Sequence, residues 1–247
     1  MIRGLYTAAS GMLPRIVQQE TTANNLANVS TYGYKKSEVF LRALIDASSA
    51  LDRALGRERS GGPEDLRVDY TQGTFDTTGL PFDFALNGPG FFRVRDTAGN
   101  EFYTRNGRFS RAPDGSLVNG SGMVLLDTQH TPVRADGESI AVMENGAVLV
   151  NGEQTVTIGV ADFDAKGYEA LKSLGMGLFR KPSSAAETAP SPDTQVLQGY
   201  LEDSNAEAVR LMVDMIEIFR TFEMGQKSIQ IQDQTLQRVV TELGAVR

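Results

Sequence analysis

The chain has 247 residues, 40% of them apolar, which is room for one large domain or two small ones. With 24 Lys+Arg against 31 Asp+Glu the net charge is −7, which argues against a broad electrostatic grip on nucleic acid or anionic lipid. There is no Cys and only one histidine, His130, so disulfides, thiolate chemistry and multi-histidine metal sites are excluded.

Residues 1 to 34 open the chain. Leu5, Met12, Leu13, Ile16 and Val17 recur at helical spacing, and the pattern continues to Leu26. Pro14 removes a backbone donor inside it, predicting a kink or a fresh start. Asn28, Ser30, Thr31 and Gly33 read as the stop. The apolar residues form no continuous run, and Gln18, Gln19 and Glu20 follow, so the segment does not read as a cleavable secretory signal. No stretch is long and apolar enough to predict a membrane span.

Residues 37–55 fit either a short helix or an extended segment, and Gly56–Pro63 reads as a loop. From about residue 70 to 182 the period changes. Phe82, Phe84 and Leu86 alternate, Asn87-Gly88-Pro89-Gly90 is a turn, and Phe91–Val94 is a strand. Asn-Gly recurs at 106, 119, 145 and 151, and Asp-Gly at 114 and 136, which predicts tight type I′ hairpin turns. The clearest hairpin is Ser139–Met143 with Ala147–Val150, followed by a strand over Thr155–Phe163. The pattern is that of an antiparallel β-domain, a meander or open barrel, and the polar stretch from Ser183 to Asp193 reads as a loop.

Residues 204–247 carry the strongest helical signal. Ser204-Asn-Ala-Glu207 has the form of a capping box. Met215, Phe222, Ile229, Leu236 and Leu243 lie seven apart, with Met212, Phe219 and Val240 as companions and Gln226 and Asp233 as polar interruptions. A helix of about 40 residues is roughly 60 Å long, whereas a β-domain of this size spans about 35–40 Å. The helix therefore projects, and its apolar seam needs a partner. Charge favours the N-terminal helix: Arg3, Arg15, Lys35 and Lys36 outweigh Glu20 there, while acids outnumber bases over residues 201–247. The expected fold is α+β, with the two terminal helices forming a coiled-coil-like unit and an antiparallel β-domain inserted between them. The expected divisions are 1–34 with 204–247, a connecting region at 35–80, and the β-domain at 81–203. Terminal helices packed flat on the sheet are the alternative.

No constellation reads as catalytic, cofactor-binding or metal-binding. Gly88-Pro-Gly90 lacks the Lys-Ser/Thr of a phosphate loop. Gly175-Met-Gly177 is a loop glycine pair, and His130 has no nucleophile nearby. Asp162 and Asp164 are spaced like metal ligands but lack the glycine and terminal Glu of a calcium loop, so a solvated pair at a strand end is expected.

Ala23-Asn-Asn-Leu-Ala-Asn-Val-Ser-Thr-Tyr-Gly-Tyr-Lys35 closely resembles the N-terminal signature of the bacterial flagellar rod and hook proteins. Gly4-Leu-Tyr-Thr-Ala-Ala-Ser-Gly-Met12 resembles the same family, as do Gly199-Tyr-Leu-Glu-Asp-Ser-Asn205, Met212-Val-Asp-Met-Ile216 and Phe222-Glu223. Leu86–Phe92 and Tyr103-Thr-Arg-Asn-Gly-Arg-Phe109 are similar to its β-domain. The resemblance spans the chain in order. It implies a structural subunit of the flagellar basal body, exported unfolded by the flagellar export apparatus without a cleavable signal. Such subunits polymerise helically into a hollow rod that carries torque to the hook and encloses the export channel. The implied partners are copies of itself, other rod proteins and the export apparatus in transit, and no cofactor is implied. Size and the opening motif resemble the proximal of the two medium-sized rod proteins; the distal one is the alternative. A β-domain binding or adhesin module on a helical stalk is a further one. The expected assembly residues are Leu5, Met12, Ile16, Asn24, Asn25, Leu26, Asn28, Met215, Phe219, Phe222, Ile229, Leu236 and Leu243.

Overall fold

The computed structural model describes residues 2–41, 64–137, 140–182 and 185–244. Most of the 37–55 segment and the 56–63 loop lie outside them. In chain order, α1 (Ile2–Ala27) is followed by β1 (Ser37–Leu41), β2 (Glu64–Val68), β3 (Phe75–Thr77), β4 (Phe84–Asn87), β5 (Phe91–Arg95) and β6 (Glu101–Thr104). Next come β7 (Phe109–Arg111), β8 (Leu117–Asn119), β9 (Val124–Leu125), β10 (Ile140–Val142), β11 (Ala147–Val150), β12 (Glu153–Thr157) and β13 (Val160–Phe163). The short helix α2 (Ala165–Ala170), β14 (Lys172–Gly175), β15 (Leu178–Arg180), β16 (Glu187–Thr188), β17 (Gln195–Gln198) and β18 (Tyr200–Glu202) lead to the long helix α3 (Ala208–Gly244). The chain is α+β, in two compact units. One comprises Met1–Ala27, Ser37–Arg67 and Glu207–Arg247; the other comprises Asn28–Lys36 and Val68–Ala206.

In the first unit, α1 runs through Pro14 and stops at Ala27. Its most extensive contact is with α3. α3 has 37 residues, about 55 Å at 1.5 Å per residue. Its inward positions are Leu211, Met215, Ile218, Phe222, Gly225, Ile229 and Gln232, alternately four and three apart, with Leu211 and Ile218 buried. The companion positions of the seam therefore fall at 211, 218, 225 and 232, one residue before Met212 and Phe219. A seven-residue repeat at 215, 222 and 229 admits companions on either side. Folding buries Leu211 and Ile218 and leaves Met212 and Phe219 about half exposed. The capping box does not form. Ser204 Oγ accepts from the Ala206 N–H, and the first helical turn closes when Leu211 N–H donates to the Glu207 carbonyl.

The second unit is a mostly antiparallel β-structure around two clusters. The path β14-β15-β6-β5-β9-β8-β7 forms the main sheet, with β13 joining β5 and β16. The larger cluster joins Phe84, Leu86, Phe92, Phe109, Leu117, Leu125 and Ile158. The smaller is aromatic: Phe91, Tyr103, Phe163 and Phe179, with Tyr70 and Tyr168 against them. Phe91 and Phe179 have ring centroids 5.3 Å apart, at a tilt that suits opposed quadrupoles.

Three sequence expectations need correction here. The β10–β11 hairpin forms in the register Ile140↔Val150, but its turn has only Gly146 left-handed, so it is not type I′. Of the Asn-Gly and Asp-Gly pairs only Asn151-Gly152 has both residues at positive φ; elsewhere loops longer than two residues need no such pair. The strand expected over 155–163 is two strands, β12 and β13, broken where Ile158 and Gly159 hydrogen-bond outside either ladder. The 183–193 loop also contains β16, which pairs with β13.

Candidate functional site

Three charged side chains from distant segments meet inside the second unit. Lys35 stands in the 28–36 segment, Arg105 just after β6, and Glu202 closes β18. All three are buried. Lys35 Nζ lies 2.5 Å from Glu202 Oε1 and donates to the Thr71 carbonyl at 2.6 Å. Arg105 Nη1 lies 3.1 Å from Glu202 Oε2, and its Nη2 donates to the Gly88 carbonyl at 2.7 Å. Gly73 N–H donates to the same carboxylate, and Gly33 N–H to the Glu202 carbonyl. The Arg105 guanidinium also lies 5.6 Å from the Phe91 ring centre. Burial pushes the Lys35 ammonium below the usual lysine range, and Glu202 opposes that. Two cations on one carboxylate leave an excess positive charge, which the Thr71, Leu86 and Gly88 carbonyls solvate.

Asn205 extends the same stitching. Its Oδ1 accepts from Lys36 N–H at 2.8 Å, and its Nδ2 donates to the carbonyls of Asp69 and Thr71. Gly199–Asn205 and the end of the Ala23–Lys35 motif, with Lys36 directly after it, thus hold one another. Lys35, Arg105 and Glu202 each fall inside a different resemblance motif, which was the available signal; nothing in the spacing said they would meet.

In the first unit, Asn25 is buried and clamps the first residue of β1 from both sides. Its Nδ2 donates to the Ser37 carbonyl at 2.7 Å and its Oδ1 accepts from Ser37 N–H at 2.9 Å. Asn24 is exposed, and Leu26 and Asn28 are half-buried; the Asn28 carbonyl accepts from Thr31 N–H just past the helix end. Met12 is half-buried and lies against Gly225, where a Cβ would come within 3.1 Å of the Met12 Cγ. Met215, Phe222 and Ile229 are half-buried on the inward face. Ile16 is partly exposed and Phe219 half-exposed. The side chains of Leu5, Leu236 and Leu243 lie outside the described ones.

α3 carries a second apolar face. Val209, Val213 and Ile216 point away from Leu211 and Ile218 at 3.6 residues per turn, with Met212 and Phe219 flanking them. Val209 is 77% exposed and Ile216 55%.

The candidate chemical residues are placed in structural roles. His130 has φ 60° and its Nδ1 faces Glu101 at 3.0 Å. Asp162 is buried rather than solvated, because the Tyr168 hydroxyl and Phe163 N–H donate to it. Asp164 caps α2 through Gly167 N–H. Among the described residues no group of three or more metal-ligating side chains forms, and no helix is long and apolar enough to cross a membrane.

Three family models match the chain. Residues 5–35 match a flagella basal body rod protein model, 85–150 the D1 domain of the flagellar hook protein FlgE/F/G, and 197–242 the C-terminal part of the flagellar basal body rod FlgEFG protein. The chain is 31% identical to flagellar basal-body rod protein FlgG of Buchnera aphidicola subsp. Schizaphis graminum, over 97% of this chain and 99% of that one. It is 31% identical to FlgF of Rhizobium meliloti over 100% of both, and 32% identical to FlgF of Salmonella typhimurium over 93% of both.

Proposed function

The chain belongs to the flagellar basal-body rod protein family, and we propose how it serves as a structural subunit of that rod. Copies associate helically into a hollow shaft. The first unit, with α1 and α3 paired as a coiled coil, lines the export channel. The shaft carries torque from motor to hook and performs no catalysis. The chain reaches the periplasmic rod through the flagellar export apparatus, and its neighbours are its own copies and other rod proteins. The opening motif and the Phe222-Glu-Met224 run favour the proximal rod position.

One observation carries this reading: α3 is apolar on two faces. One face packs on α1, and the other exposes Val209, Met212, Val213, Ile216 and Phe219. A monomer has no use for the second face, whereas a polymer buries it. The buried Lys35–Glu202–Arg105 cluster supports the mechanical part, since it ties distant segments of the second unit into one body.

The test is Ile216→Asp in a bacterium whose only copy of the chain carries it. The expected result is loss of swimming and of the chain from isolated basal bodies, with the purified protein folded. Normal swimming would overturn the proposal.

A further inference from the structure

Among the described residues, two hairpins have two-residue loops in which both residues have positive φ. One is Asn151-Gly152, at 52° and 88°, between β11 and β12, where Val150 pairs with Glu153. The other is Met176-Gly177, at 54° and 71°, between β14 and β15, where Gly175 pairs with Leu178. Asn followed by Gly is what this turn favours, because Asn tolerates the left-handed conformation and Gly has no Cβ to clash. Methionine at the first position is the disfavoured choice. The side chain recovers little within its own chain, being 69% exposed, and Leu174 beside it is 49% exposed. Gly177 is buried near Gly33, and Leu174 and Met176 form an apolar knuckle exposed beside it, on a turn that methionine does not favour.

The charges on the hairpin strands have one sign. Lys172 and Arg180 face each other across the hairpin and are exposed, and residues 172–180 contain no acid, while Lys181 just beyond is paired with Glu187. The same chain exposes a surface of complementary character. The outer face of α3 presents Val209, Met212, Val213 and Ile216, and residues 207–223 carry Glu207, Asp214, Glu217 and Glu223 against Arg210 and Arg220.

We infer that the Leu174–Met176 knuckle docks on the outer face of α3 in a second copy of this chain, with Lys172 and Arg180 set beside the acids of that helix. The inference rests on the rod-subunit reading and deepens it, naming what covers the open face of α3. The two surfaces are different, so each copy offers one and receives on the other. Contacts of that kind are heterologous and extend in series rather than closing a pair.

Met176→Asn tests the contact without harming the fold. It installs the residue that the chain already uses at position 151, so the purified variant should melt no lower than the parent. The expected result is at least a tenfold fall in the amount of chain in isolated rods, with swimming impaired. The second arm uses the absence of cysteine from the chain. Met176→Cys with Ile216→Cys in one chain should give, on oxidation of isolated rods, a ladder of covalent oligomers, whereas either cysteine alone gives dimers at most. Normal incorporation of Met176→Asn together with no ladder would overturn the contact and leave the rod reading standing. Absence of the unaltered chain from isolated rods would overturn both.

Discussion

Lys35 and Glu202 stand 167 residues apart in the sequence and form an ion pair inside the second unit, with both side chains essentially inaccessible to water. Arg105 shares the same carboxylate. Removing one member of a buried set leaves the others charged and unpaired, which costs about 3–5 kcal/mol. Glu202→Gln strands two cations and is expected to cost that much. Lys35→Met leaves Arg105 to hold the carboxylate and should cost less. Urea unfolding followed by near-ultraviolet circular dichroism measures both; an equal and small effect would show that the cluster does not hold the unit together.

Acid should weaken the second unit in a defined direction. Burial would raise Glu187, but the Tyr103 hydroxyl, Lys181 and Arg93 outweigh it and hold the carboxyl below the ordinary glutamate value. Burial would raise Asp127 in the same way, but the Thr131 hydroxyl and the Thr131 and Gln129 amides overcome it and hold that carboxyl low. A carboxyl depressed in the folded state adds stability above its unfolded value, and that stability is lost as pH falls through the folded one. The melting temperature should be flat at neutral pH and fall below about pH 4. Glu187→Gln should lower it at neutral pH and flatten the acid limb. An unchanged acid limb in the variant would remove Glu187 from the account.

Much of the architecture could be read from the sequence because it rests on repeating apolar patterns. The period of α3 and the stop at Asn28 to Gly33 come from local chemistry, and α1 ends at Ala27. Two kinds of feature were not legible. The first depends on which of two equivalent patterns is buried in the folded chain: companions at 212 and 219 read as well as those at 211 and 218, and only tertiary burial separates them. The second depends on long-range meeting. Lys35, Arg105 and Glu202 have no shared spacing, and an isolated charge in a sequence reads as solvated. Gly175-Met-Gly177 read as a loop, but the tight hairpin turn at Met176-Gly177 did not show, since its sequence is not one that the turn favours.

The inward face of α3 has a weak point. Gln232 lies in register with Leu211 and Ile218, and its Oε1 is buried without a hydrogen-bond partner. A buried acceptor left unpaired costs about 1–3 kcal/mol. Gln232→Leu keeps a similar volume and removes the polar group, so it should stabilise the helix pair by about 1 kcal/mol or more. Amide hydrogen exchange along residues 225–240 should slow. Faster exchange would mean that the glutamine is held by something its replacement loses.

Phe222 and Ile229 lie one heptad apart on the face of α3 that meets α1. Burying either side chain contributes roughly 1.5–3 kcal/mol. Aspartate at Phe222 forfeits that and places a charge against apolar neighbours, at a further cost. The two apolar clusters of the second unit contain no residue of α3. Phe222→Asp should therefore loosen α1 from α3, seen as faster amide exchange in both helices, while the melting transition of the second unit stays where it was. In a bacterium relying on this variant, swimming should fail, because every copy in the rod carries the defect. Swimming at the normal level would show that the seam is not needed for assembly. If instead the second unit melted earlier along with the helices, the two units would share a core, and the separation argued from their apolar clusters would be wrong.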